Sequence, residues 1–360
     1  MIRYSWSGLT EGPVLVLGNS LGTTSAMWDR QVPALGEHFR LLRYEHRGHG
    51  GSVAPPGPYT VDELGADVLA LLDVLGLERV SYCGLSLGGM VGMWLAATAP
   101  ERVDRLALCC TTAKFDSAQP WLDRAAAVRE HGTASIAEQV VARWFTPERV
   151  DLAPEFTAML AGTEDEAYAS CCEALAELDF TQLVSGIRAP TLVLVGDQDP
   201  ATPPTHGRAL AEAIPGARLA RLPAAHLATV QAAEQATALL VDHFTSVRRQ
   251  VLGDAHVDRA LAATDEFTAD FQEFIGRYAW GDIWTRPGLD RRTRSCITLA
   301  MLATLCHEEE LAMHVRAALR VGLSREEIKE VLLQVAVYAG VPAANRAFRV
   351  AQQVLSTQDE

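Results

Sequence analysis

The feature that most constrains this 360-residue chain is a serine flanked by glycines, Gly-Leu-Ser-Leu-Gly at residues 84–88. A short apolar run at residues 80–83 precedes it, and a helix-like apolar segment at residues 89–97 follows it. A strand, a tight turn and a helix with serine at the apex form the arrangement called a nucleophile elbow. The serine backbone is strained there and its neighbours pack closely, so glycine is required on either side. We therefore predict that Ser86 is a catalytic nucleophile.

A serine hydroxyl needs a base to take its proton and an acid to orient that base. In chains with such an elbow, the acid and then the histidine follow the serine in sequence. A predicted strand at residues 191–195 leads into two aspartates. We choose Asp199 as the acid and expect Asp197 to accept hydrogen bonds from backbone donors of the turn. His226 lies just past the next predicted strand, residues 217–222, and is the predicted base.

An oxyanion hole must supply backbone donors to the negative charge that develops on the substrate carbonyl oxygen. One expected donor is the amide of Leu87, directly after the nucleophile. The other is expected in the loop after the predicted strand at residues 14–17, where the backbone amide of Leu21 is the candidate. His46 and His49 follow another predicted strand, and we expect both to be surface loop residues rather than metal ligands.

Secondary-structure patterns predict an α/β architecture for the front of the chain. Up to about residue 112, short Val- and Leu-rich strands alternate with helical patterns, which indicates a mostly parallel sheet. Residues 115–185 differ, because Ala, Glu and Arg recur there at helical spacing and prolines divide the segment into short helices. We predict that this segment is a helical cap over Ser86, with Arg143 and Trp144 as candidate substrate-binding residues.

The length of the chain predicts two domains, because 360 residues exceed what one hydrophobic core usually spans. We place the boundary so that the domains are residues 1–247 and 248–360. The short basic stretch at residues 247–250 is the expected linker. A hydrophobic fraction of 49% is ample for two cores.

The second domain is predicted to be a small all-helical bundle with its own core. Its first predicted helix covers residues 257–278, where leucine, isoleucine and three phenylalanines recur at helical spacing. Asp290 is expected to cap a helix at residues 291–305. Ser324 and Glu327 have the spacing of a capping box at the start of a later helix.

Composition limits the partners and the compartment of the protein. The formal net charge of −14 and the pI near 5.2 argue against nucleic acid or an anionic membrane as a partner. The seven cysteines include no Cys-x-x-Cys motif and the adjacent pairs are poor disulfide candidates, so we expect a reduced, cytoplasmic protein. We find neither a signal-peptide pattern nor an apolar run of membrane-spanning length.

The tail resembles the carboxymuconolactone decarboxylase family over four stretches, residues 278–290, 291–295, 309–316 and 337–345. The front half resembles the 3-oxoadipate enol-lactonases, which are α/β hydrolases, through residues 19–23, the elbow and residues 143–146. The combination is similar to fused bifunctional proteins of the protocatechuate branch of the 3-oxoadipate pathway. The resemblance implies an α/β-hydrolase fold followed by a decarboxylase-like bundle. The tail would make the enol-lactone and the front half would hydrolyse it to 3-oxoadipate.

Decarboxylation of carboxymuconolactone, which the resemblance implies for the tail, leaves negative charge conjugated with the lactone carbonyl. The substrate is its own electron sink, so we expect neither a cofactor nor a metal. The protein has to hold the remaining carboxylate and deliver a proton. We predict that His314 is the proton donor, that Glu310 one turn before it orients the ring, and that Arg294 binds a substrate carboxylate.

Small lactones are therefore the expected substrates. The helical domain is also expected to permit homo-oligomers, because domains of the family that it resembles self-assemble. One alternative stays open for the whole chain. The front half would then be a serine esterase or a cofactor-free perhydrolase, which shares the triad, and the tail would be a catalytically silent oligomerisation domain.

Overall fold

A computed structural model describes residues 2–356 of the chain. The chain divides into two compact units, Met1–Phe244 and Thr245–Glu360, which we call unit 1 and unit 2. Each unit has an apolar core of its own. The division falls a few residues before residue 247, where the sequence analysis places the domain boundary.

Unit 1 is built on a single sheet of seven strands: β1 (Tyr4–Gly8), β2 (Val14–Gly18), β3 (Arg40–Tyr44), β4 (Val80–Leu85), β5 (Val103–Cys109), β6 (Thr191–Gly196) and β7 (Arg218–Leu222). Their order across the sheet is β1-β3-β2-β4-β5-β6-β7. Strand β1 is antiparallel to β3, and every other neighbouring pair is parallel. The mostly parallel sheet predicted from the sequence is confirmed. Strands β2, β4 and β6 are buried along their whole length, which explains their continuous apolar sequences.

Ten α-helices surround this sheet: α1 (Val32–Leu35), α2 (Val61–Val74), α3 (Leu87–Thr98), α4 (Gln119–His131), α5 (Thr133–Val141), α6 (Ala153–Ala161), α7 (Asp165–Ala176), α8 (Pro204–Ala213), α9 (Ala228–Gln231) and α10 (Ala233–Thr245). Short 3-10 helices occur at Ser25–Trp28, Pro100–Arg102, Pro147–Leu152 and Leu183–Gly186. Helices α4 to α7 occupy the chain between β5 and β6, in the segment predicted as a cap. Arg129 of α4 joins Glu166 and Glu173 of α7 at 2.7 and 2.5 Å.

The topology of the sheet explains where chemistry can occur. Parallel strands end at one common edge, and ligand sites in α/β proteins lie outside the carboxyl ends of the strands. The loops that follow β2, β4, β6 and β7 all leave from this edge. They carry the predicted oxyanion loop, nucleophile, acid and base in that order along the chain.

Unit 2 is helical throughout its described part: α11 (Val247–Leu252), α12 (Asp254–Ala262), α13 (Ala269–Ile275), a π-helix (Gly276–Ile283), α14 (Arg291–Leu305), α15 (Glu308–Arg320), α16 (Arg325–Tyr338) and α17 (Val341–Ser356). Two of its helix starts agree with the sequence analysis. The Asp290 carboxylate accepts a hydrogen bond from the backbone of Thr293, and Ser324 with Glu327 forms the complete capping box.

The basic stretch at residues 247–250 is not a linker. It forms the first turn of α11, where the Ser246 side chain accepts a hydrogen bond from the backbone N–H of Arg249. The Arg249 side chain is buried and forms a salt bridge with Asp258 at 2.8 Å. The basic residues suggested a solvated segment, but this guanidinium is paired inside unit 2.

The predicted helix at residues 257–278 is interrupted. Helix α12 ends at Ala262, and α13 begins after a turn in which Asp265 and Thr268 exchange backbone–side-chain hydrogen bonds. Phe267 in that turn is 93% exposed, and Phe271 on α13 is 61% exposed. Apolar residues at helical spacing usually face a core, but these two side chains are exposed in the single chain. The core of unit 2 comes mainly from α14 to α17 and includes Leu299, Leu311, Val315, Ile328, Leu332 and Val350.

Within residues 2–356, none of the helices is long and apolar enough to span a membrane.

Candidate functional site

Ser86 lies at the sharp turn between β4 and α3. Its backbone has φ 54° and ψ −115°, a conformation that residues other than glycine rarely adopt. A side chain at Gly84 would collide with the backbone of Gly88, and one at Gly88 would collide with the carbonyl of Gly18. The Thr111 hydroxyl donates a 2.8 Å hydrogen bond to the Ser86 carbonyl and helps to hold the turn. The strand–turn–helix context predicted from the pentapeptide is therefore present.

Asp199 and His226 are in direct contact. His226 Nδ1 donates to Asp199 Oδ2 at 2.8 Å, and the side chains are 0% (Asp199) and 4% (His226) exposed. Burial raises the pKa of Asp199, but the charge of His226 and hydrogen bonds from His226 and Thr202 outweigh it and leave that pKa below its ordinary value. Asp199 therefore stays a carboxylate. It holds His226 in the tautomer whose Nε2 is free to accept a proton.

The role expected for Asp197 is wrong. Its carboxylate accepts from Arg221 Nε at 2.7 Å on the neighbouring strand β7, in an exposed salt bridge. The backbone donors of the turn, Ala201 and Thr202, bond instead to Asp199 Oδ1 at 2.8 and 3.0 Å. A single carboxylate, Asp199, thus caps the turn and contacts the histidine.

Ser86 and His226 line the same cavity, which has a volume of about 280 Å³. Leu21 lines it from the loop after β2, and both Arg143 and Trp144 line it from the cap. The structure thus brings together the predicted nucleophile, base, oxyanion loop and cap residues.

Sequence reasoning did not identify two other cap residues in this cavity, Trp121 and Arg124 on α4. The Arg124 guanidinium lies 4.6 Å from the centre of the Trp121 ring. For the residues that the structure describes, no salt bridge joins Arg124 or Arg143 to a carboxylate. Arg143 donates to the Pro200 carbonyl at 3.0 Å and Arg124 bonds to the Tyr168 side chain, so each keeps its positive charge without a carboxylate and can attract an anionic ligand. The only sequence signal for Trp121 and Arg124 is their three-residue spacing, which puts both on one helix face.

The backbone amides of Leu21 and Leu87, the two candidate oxyanion donors, have no acceptor within the described residues. Leu87 is the first residue of α3, where an N–H group has no acceptor within its own helix. No partner is recorded for the Leu21 N–H among the hydrogen bonds of residues 2–356. The Gly88 N–H donates to the Asn19 carbonyl at 2.9 Å and so joins the two segments.

His46 and His49 are fully buried, so the expectation that they lie on the surface is wrong. His46 Nε2 donates to the Asn19 carbonyl at 2.9 Å, and His49 Nε2 accepts from the Gly22 N–H at 2.9 Å. Burial, with a smaller contribution from His49, lowers the pKa of His46 to about 3, and burial lowers the pKa of His49 to about 4. Both rings are therefore neutral at pH 7. The loop that carries them packs against the oxyanion loop instead of lying in solvent.

In unit 2, His314 on α15 is buried, with 8% of its surface exposed. Its ring stacks on Trp284 with centroids 6.4 Å apart, and Trp284 stacks on Trp280 at 5.0 Å. Burial, and then the charge of His256, lower the pKa of His314 to about 4. His314 Nδ1 is buried and has no hydrogen-bond partner in the described part of the chain. It is thus a neutral imidazole with an unused polar atom.

The other two predicted residues of unit 2 do not bond to His314. Glu310 is exposed. The charge of its carboxylate opposes the lowering of the His314 pKa but does not outweigh burial and His256, and no hydrogen bond joins it to the ring. Arg294 donates from Nη2 to the Arg286 carbonyl at 2.9 Å, and its Nε is buried without a partner among residues 2–356. The hydrogen bond expected between Glu310 and the His314 ring is therefore not formed.

Sequence reasoning assigned no role to Trp280, Trp284 or His256, although Trp284 stacks on His314, Trp280 stacks on Trp284, and the charge of His256 lowers the pKa of His314. The four-residue spacing of the two tryptophans, about one helical turn, is the signal that could have identified them.

In the described part of the chain, no group of three or more His, Cys, Asp or Glu side chains is arranged to hold a metal ion. All seven cysteines are free thiols.

A mostly parallel sheet with a serine elbow, a later acid–histidine pair and an inserted helical cap defines an α/β hydrolase. The chain belongs to that family, since the α/β hydrolase fold matches residues 13–233. The carboxymuconolactone decarboxylase family matches residues 269–353, so the C-terminal part belongs to that second family.

Individual relatives match the two parts separately. The chain is 42% identical over 217 residues to 3-oxoadipate enol-lactonase 2 of Acinetobacter baylyi, covering 59% of this chain and 81% of that protein. It is 49% identical over 108 residues to the 4-carboxymuconolactone decarboxylase of the same organism, covering 30% of this chain and 81% of that protein. The crystal structure of the enol-lactonase from Burkholderia xenovorans LB400 superposes with a TM-score of 0.67 at 42% identity. That match covers 68% of this chain and 96% of the other.

Proposed function

We propose that this chain is a bifunctional enzyme of the 3-oxoadipate pathway. Unit 2 decarboxylates 4-carboxymuconolactone to 3-oxoadipate enol-lactone, and unit 1 hydrolyses the enol-lactone to 3-oxoadipate. The observation that carries the proposal is that one chain joins relatives of an enol-lactonase and of a 4-carboxymuconolactone decarboxylase, at 42% and 49% identity. The enol-lactone that the decarboxylation in unit 2 produces is the substrate of the hydrolysis in unit 1.

In unit 1, the geometry supports acyl transfer through Ser86. His226 Nε2 takes the proton as Ser86 Oγ attacks the lactone carbonyl, while Asp199 stabilises the imidazolium. The Leu21 and Leu87 amides stabilise the oxyanion. Collapse of the tetrahedral intermediate breaks the ring C–O bond and releases an enolate, which takes up the proton held by His226, becomes a ketone and leaves His226 neutral. A water molecule activated by His226 then releases 3-oxoadipate from Ser86.

The charge of the cavity in unit 1 suits this substrate, which carries a carboxylate besides its lactone ring. Arg124 and Arg143 line the cavity without a carboxylate partner among the described residues, and Trp144 supplies an apolar wall. We assign substrate binding to these three residues. Arg124→Gln and Arg143→Gln should raise KM for the enol-lactone at least about tenfold, because a charge-assisted contact is lost. KM for a neutral aryl ester should change little, and an equal rise for both substrates would contradict the assignment.

In unit 2, the reaction needs an anion site and a proton donor rather than a nucleophile. The C–C bond to the departing carboxylate breaks, and its electron pair spreads through the unsaturated ring to the lactone oxygen. A proton is then delivered to ring carbon. We assign this delivery to His314 and the binding of the remaining carboxylate to Arg294. Glu310 serves as an electrostatic neighbour that favours the protonated imidazole.

The pKa of His314 is consistent with this role only when substrate is bound. With a pKa of about 4, the His314 imidazole is neutral at pH 7 and holds no acidic proton to deliver. A bound dicarboxylate would raise that pKa, because nearby negative charge favours the imidazolium. Protonation of His314 would thus be coupled to arrival of the substrate.

A coupled assay tests the whole proposal. Purified, chelator-treated protein is given 4-carboxymuconolactone, and intermediate and product are identified by mass spectrometry and NMR. We expect 3-oxoadipate from the wild-type chain and accumulated enol-lactone from Ser86→Ala. Failure of the wild-type chain to release carbon dioxide would contradict the assignment of unit 2.

The same preparation tests the alternative of a general esterase with a silent tail, because the triad geometry alone also fits a simple esterase. We expect kcat/KM for the enol-lactone to exceed that for p-nitrophenyl acetate by orders of magnitude. A preference for the aryl ester, together with no loss of carbon dioxide, would favour the alternative.

We infer that unit 2 also assembles with further copies of the chain. Large apolar side chains lie exposed on it in the single chain: Phe267, Phe271, Phe274, Tyr278, Met301, Leu305, Val337 and Tyr338. Phe274 and Tyr278 stack on each other with ring centroids 5.3 Å apart, and so many exposed large apolar side chains are more typical of an interface than of a solvated surface. A partner copy would cover these side chains and keep them from water.

Light scattering coupled to size exclusion tests this assembly. We expect a mass that is a multiple of 38.9 kDa for the wild-type chain and a smaller mass for the double variant Phe271→Asp, Phe274→Asp. Val74→Asp is the matched control, because Val74 is an exposed hydrophobic residue of unit 1 at 83% exposure. A monomeric mass for the wild-type chain at all concentrations would contradict the inference.

A further inference from the structure

The oxyanion loop of unit 1, residues 19–23, is held by a buried histidine outside the triad. His49 Nδ1 lies 2.8 Å from the Arg47 carbonyl, which can only accept, so Nδ1 carries the hydrogen. His49 Nε2 is then an acceptor, and it receives the Gly22 N–H at 2.9 Å. The contacts on both sides of the ring therefore select one neutral tautomer.

These bonds fix the backbone around Leu21. The Ser20 carbonyl accepts from the Thr23 N–H at 3.1 Å and from the Thr23 hydroxyl at 2.8 Å. A trans peptide is planar with its C=O and N–H pointing in opposite directions, so the Leu21 N–H points away from Thr23. His49 fixes the following peptide through the Gly22 N–H. The two peptide planes that flank the Leu21 α-carbon are thus both held by named contacts.

The cap restricts the same turn from its other side. Gly22 has φ +76°, and an added Cβ would lie 2.9 Å from Leu160 and 3.1 Å from Tyr168. The turn therefore has no room to shift toward the cap, and the contact that holds its Gly22 N–H is His49. Without an acceptor at Nε2, the buried Gly22 N–H would have to turn to find another partner, because a buried backbone donor is costly to leave unpaired.

We propose that His49 is a positioning residue for hydrolysis in unit 1, which fixes the turn that aims the Leu21 N–H at the substrate oxyanion. The inference rests on the proposed function, in which Ser86 attacks the substrate carbonyl. His49 acts through the Gly22 amide and does not itself line the cavity with Ser86.

Two substitutions separate positioning from bulk packing. His49→Leu removes the acceptor and keeps an apolar side chain in the buried space. His49→Gln keeps an acceptor oxygen near the place of Nε2. Thr191→Val is the matched control, because it removes one buried side-chain–backbone hydrogen bond, to the Ala189 carbonyl at 2.8 Å, at the opposite end of β6.

The hydrolysis of enol-lactone and of p-nitrophenyl acetate is measured with the full chain. We expect kcat of His49→Leu to fall by about 10- to 100-fold with KM within about threefold, because a misplaced oxyanion donor weakens the transition state and not substrate binding. His49→Gln should retain kcat within about threefold of wild type, and so should Thr191→Val. Binding of an alkyl boronic acid, which forms a tetrahedral anion on serine, should weaken in His49→Leu by the same factor as kcat/KM.

Full kcat and unchanged boronic acid affinity in His49→Leu would overturn the inference, as would equal loss of kcat in folded His49→Leu and His49→Gln. If His49→Leu does not fold, the test is His49→Gln alone. Its kcat must stay near that of the wild-type chain, and a large loss of kcat would contradict the inference. Hydrolysis that survives in Ser86→Ala would instead refute the proposed function, so the two failures are distinguishable.

Discussion

Mild acid should destabilise unit 1 through the two buried histidines behind its oxyanion loop. His46 and His49 have folded-state pKa values of about 3 and about 4, below the ordinary value of 6.5. Between about pH 4 and pH 6.5 the unfolded chain therefore binds more protons than the folded chain. Stability must fall as the pH falls through that window. Protonation of His49 would also place a hydrogen on Nε2, where the Gly22 N–H already points.

The magnitude follows from the pKa difference. One pKa unit corresponds to about 1.4 kcal/mol. A pH of 5 is about 1.5 units below the pKa of the imidazole in the unfolded chain, so that imidazole is protonated while the folded ring stays neutral. Each histidine should therefore cost unit 1 about 2 kcal/mol between pH 7 and pH 5, or about 4 kcal/mol together. No discount for solvent applies, because the two residues are only 1% and 0% exposed.

The assay compares the wild-type chain with His49→Gln. Each is equilibrated in urea at pH 7 and at pH 5, and a brief pulse of protease then reports the fraction in which unit 1 is folded. The free energy of unfolding of the wild-type chain should drop between the two pH values by about 2 kcal/mol more than that of the variant. Groups other than His49 contribute nearly alike to both proteins, since His49 is the smaller of the two causes that lower the pKa of His46, so this difference reports mainly one ring.

An equal drop in both proteins would refute the reasoning. It would mean either that His49 is protonated in the folded state well above pH 5 or that the buried ring is reached by water. His46→Gln provides an independent check. Its free energy of unfolding should also drop between pH 7 and pH 5 by about 2 kcal/mol less than that of the wild-type chain.

Four further predictions concern the two sites and the boundary between the units. Ser86→Ala should lower lactone hydrolysis on the order of 10⁴-fold or more while decarboxylation continues, and product analysis would contradict this if 3-oxoadipate still forms at the wild-type rate. Asp199→Asn should lower aryl-ester kcat on the order of 10⁴-fold, whereas Asp197→Asn, which loses only an exposed salt bridge, should stay within about twofold. A fragment of residues 1–244 should remain soluble and hydrolyse enol-lactone, because unit 1 has a core of its own; an insoluble or inactive fragment would point to dependence on unit 2. His314→Ala should stop release of carbon dioxide by chelator-treated protein and leave lactone hydrolysis unchanged. Restoration of chelator-inactivated protein by a divalent metal would contradict the cofactor-free mechanism.

Predictions that depended on neighbouring residues agree best with the structure. Asp290 and Ser324 cap their helices because each side chain reaches a backbone N–H three residues along the chain. The elbow around Ser86 is equally local, since its glycines meet backbone of the same turn and of β2. The contact between Asp199 and His226 spans more of the chain. Even so, the order of strands and loops predicts it, because all parallel strands present their loops at one edge.

Predictions that depended on long-range packing failed. The sequence around His49 looks like any polar loop, and Gly22, whose N–H bonds to the buried ring, lies 27 positions earlier in the chain. The basic residues at 247–250 look solvated, yet Arg249 is buried against Asp258. The phenylalanines of α13 have core-like spacing but are exposed in the single chain. Periodicity indicates which face of a helix is apolar and says nothing about what covers it.

The sequence by itself determined the α/β order of unit 1, the strained serine turn and the caps of unit 2, because these follow from backbone geometry and short hydrogen bonds. Only the tertiary structure decided that Asp197 pairs with Arg221, that Arg124 joins Arg143 at the cavity, and that two histidines support the oxyanion loop. Those outcomes depend on which distant segments exclude water from each other. A buried polar atom then bonds to the partner that the packing places beside it, and no local sequence pattern predicts which partner that is.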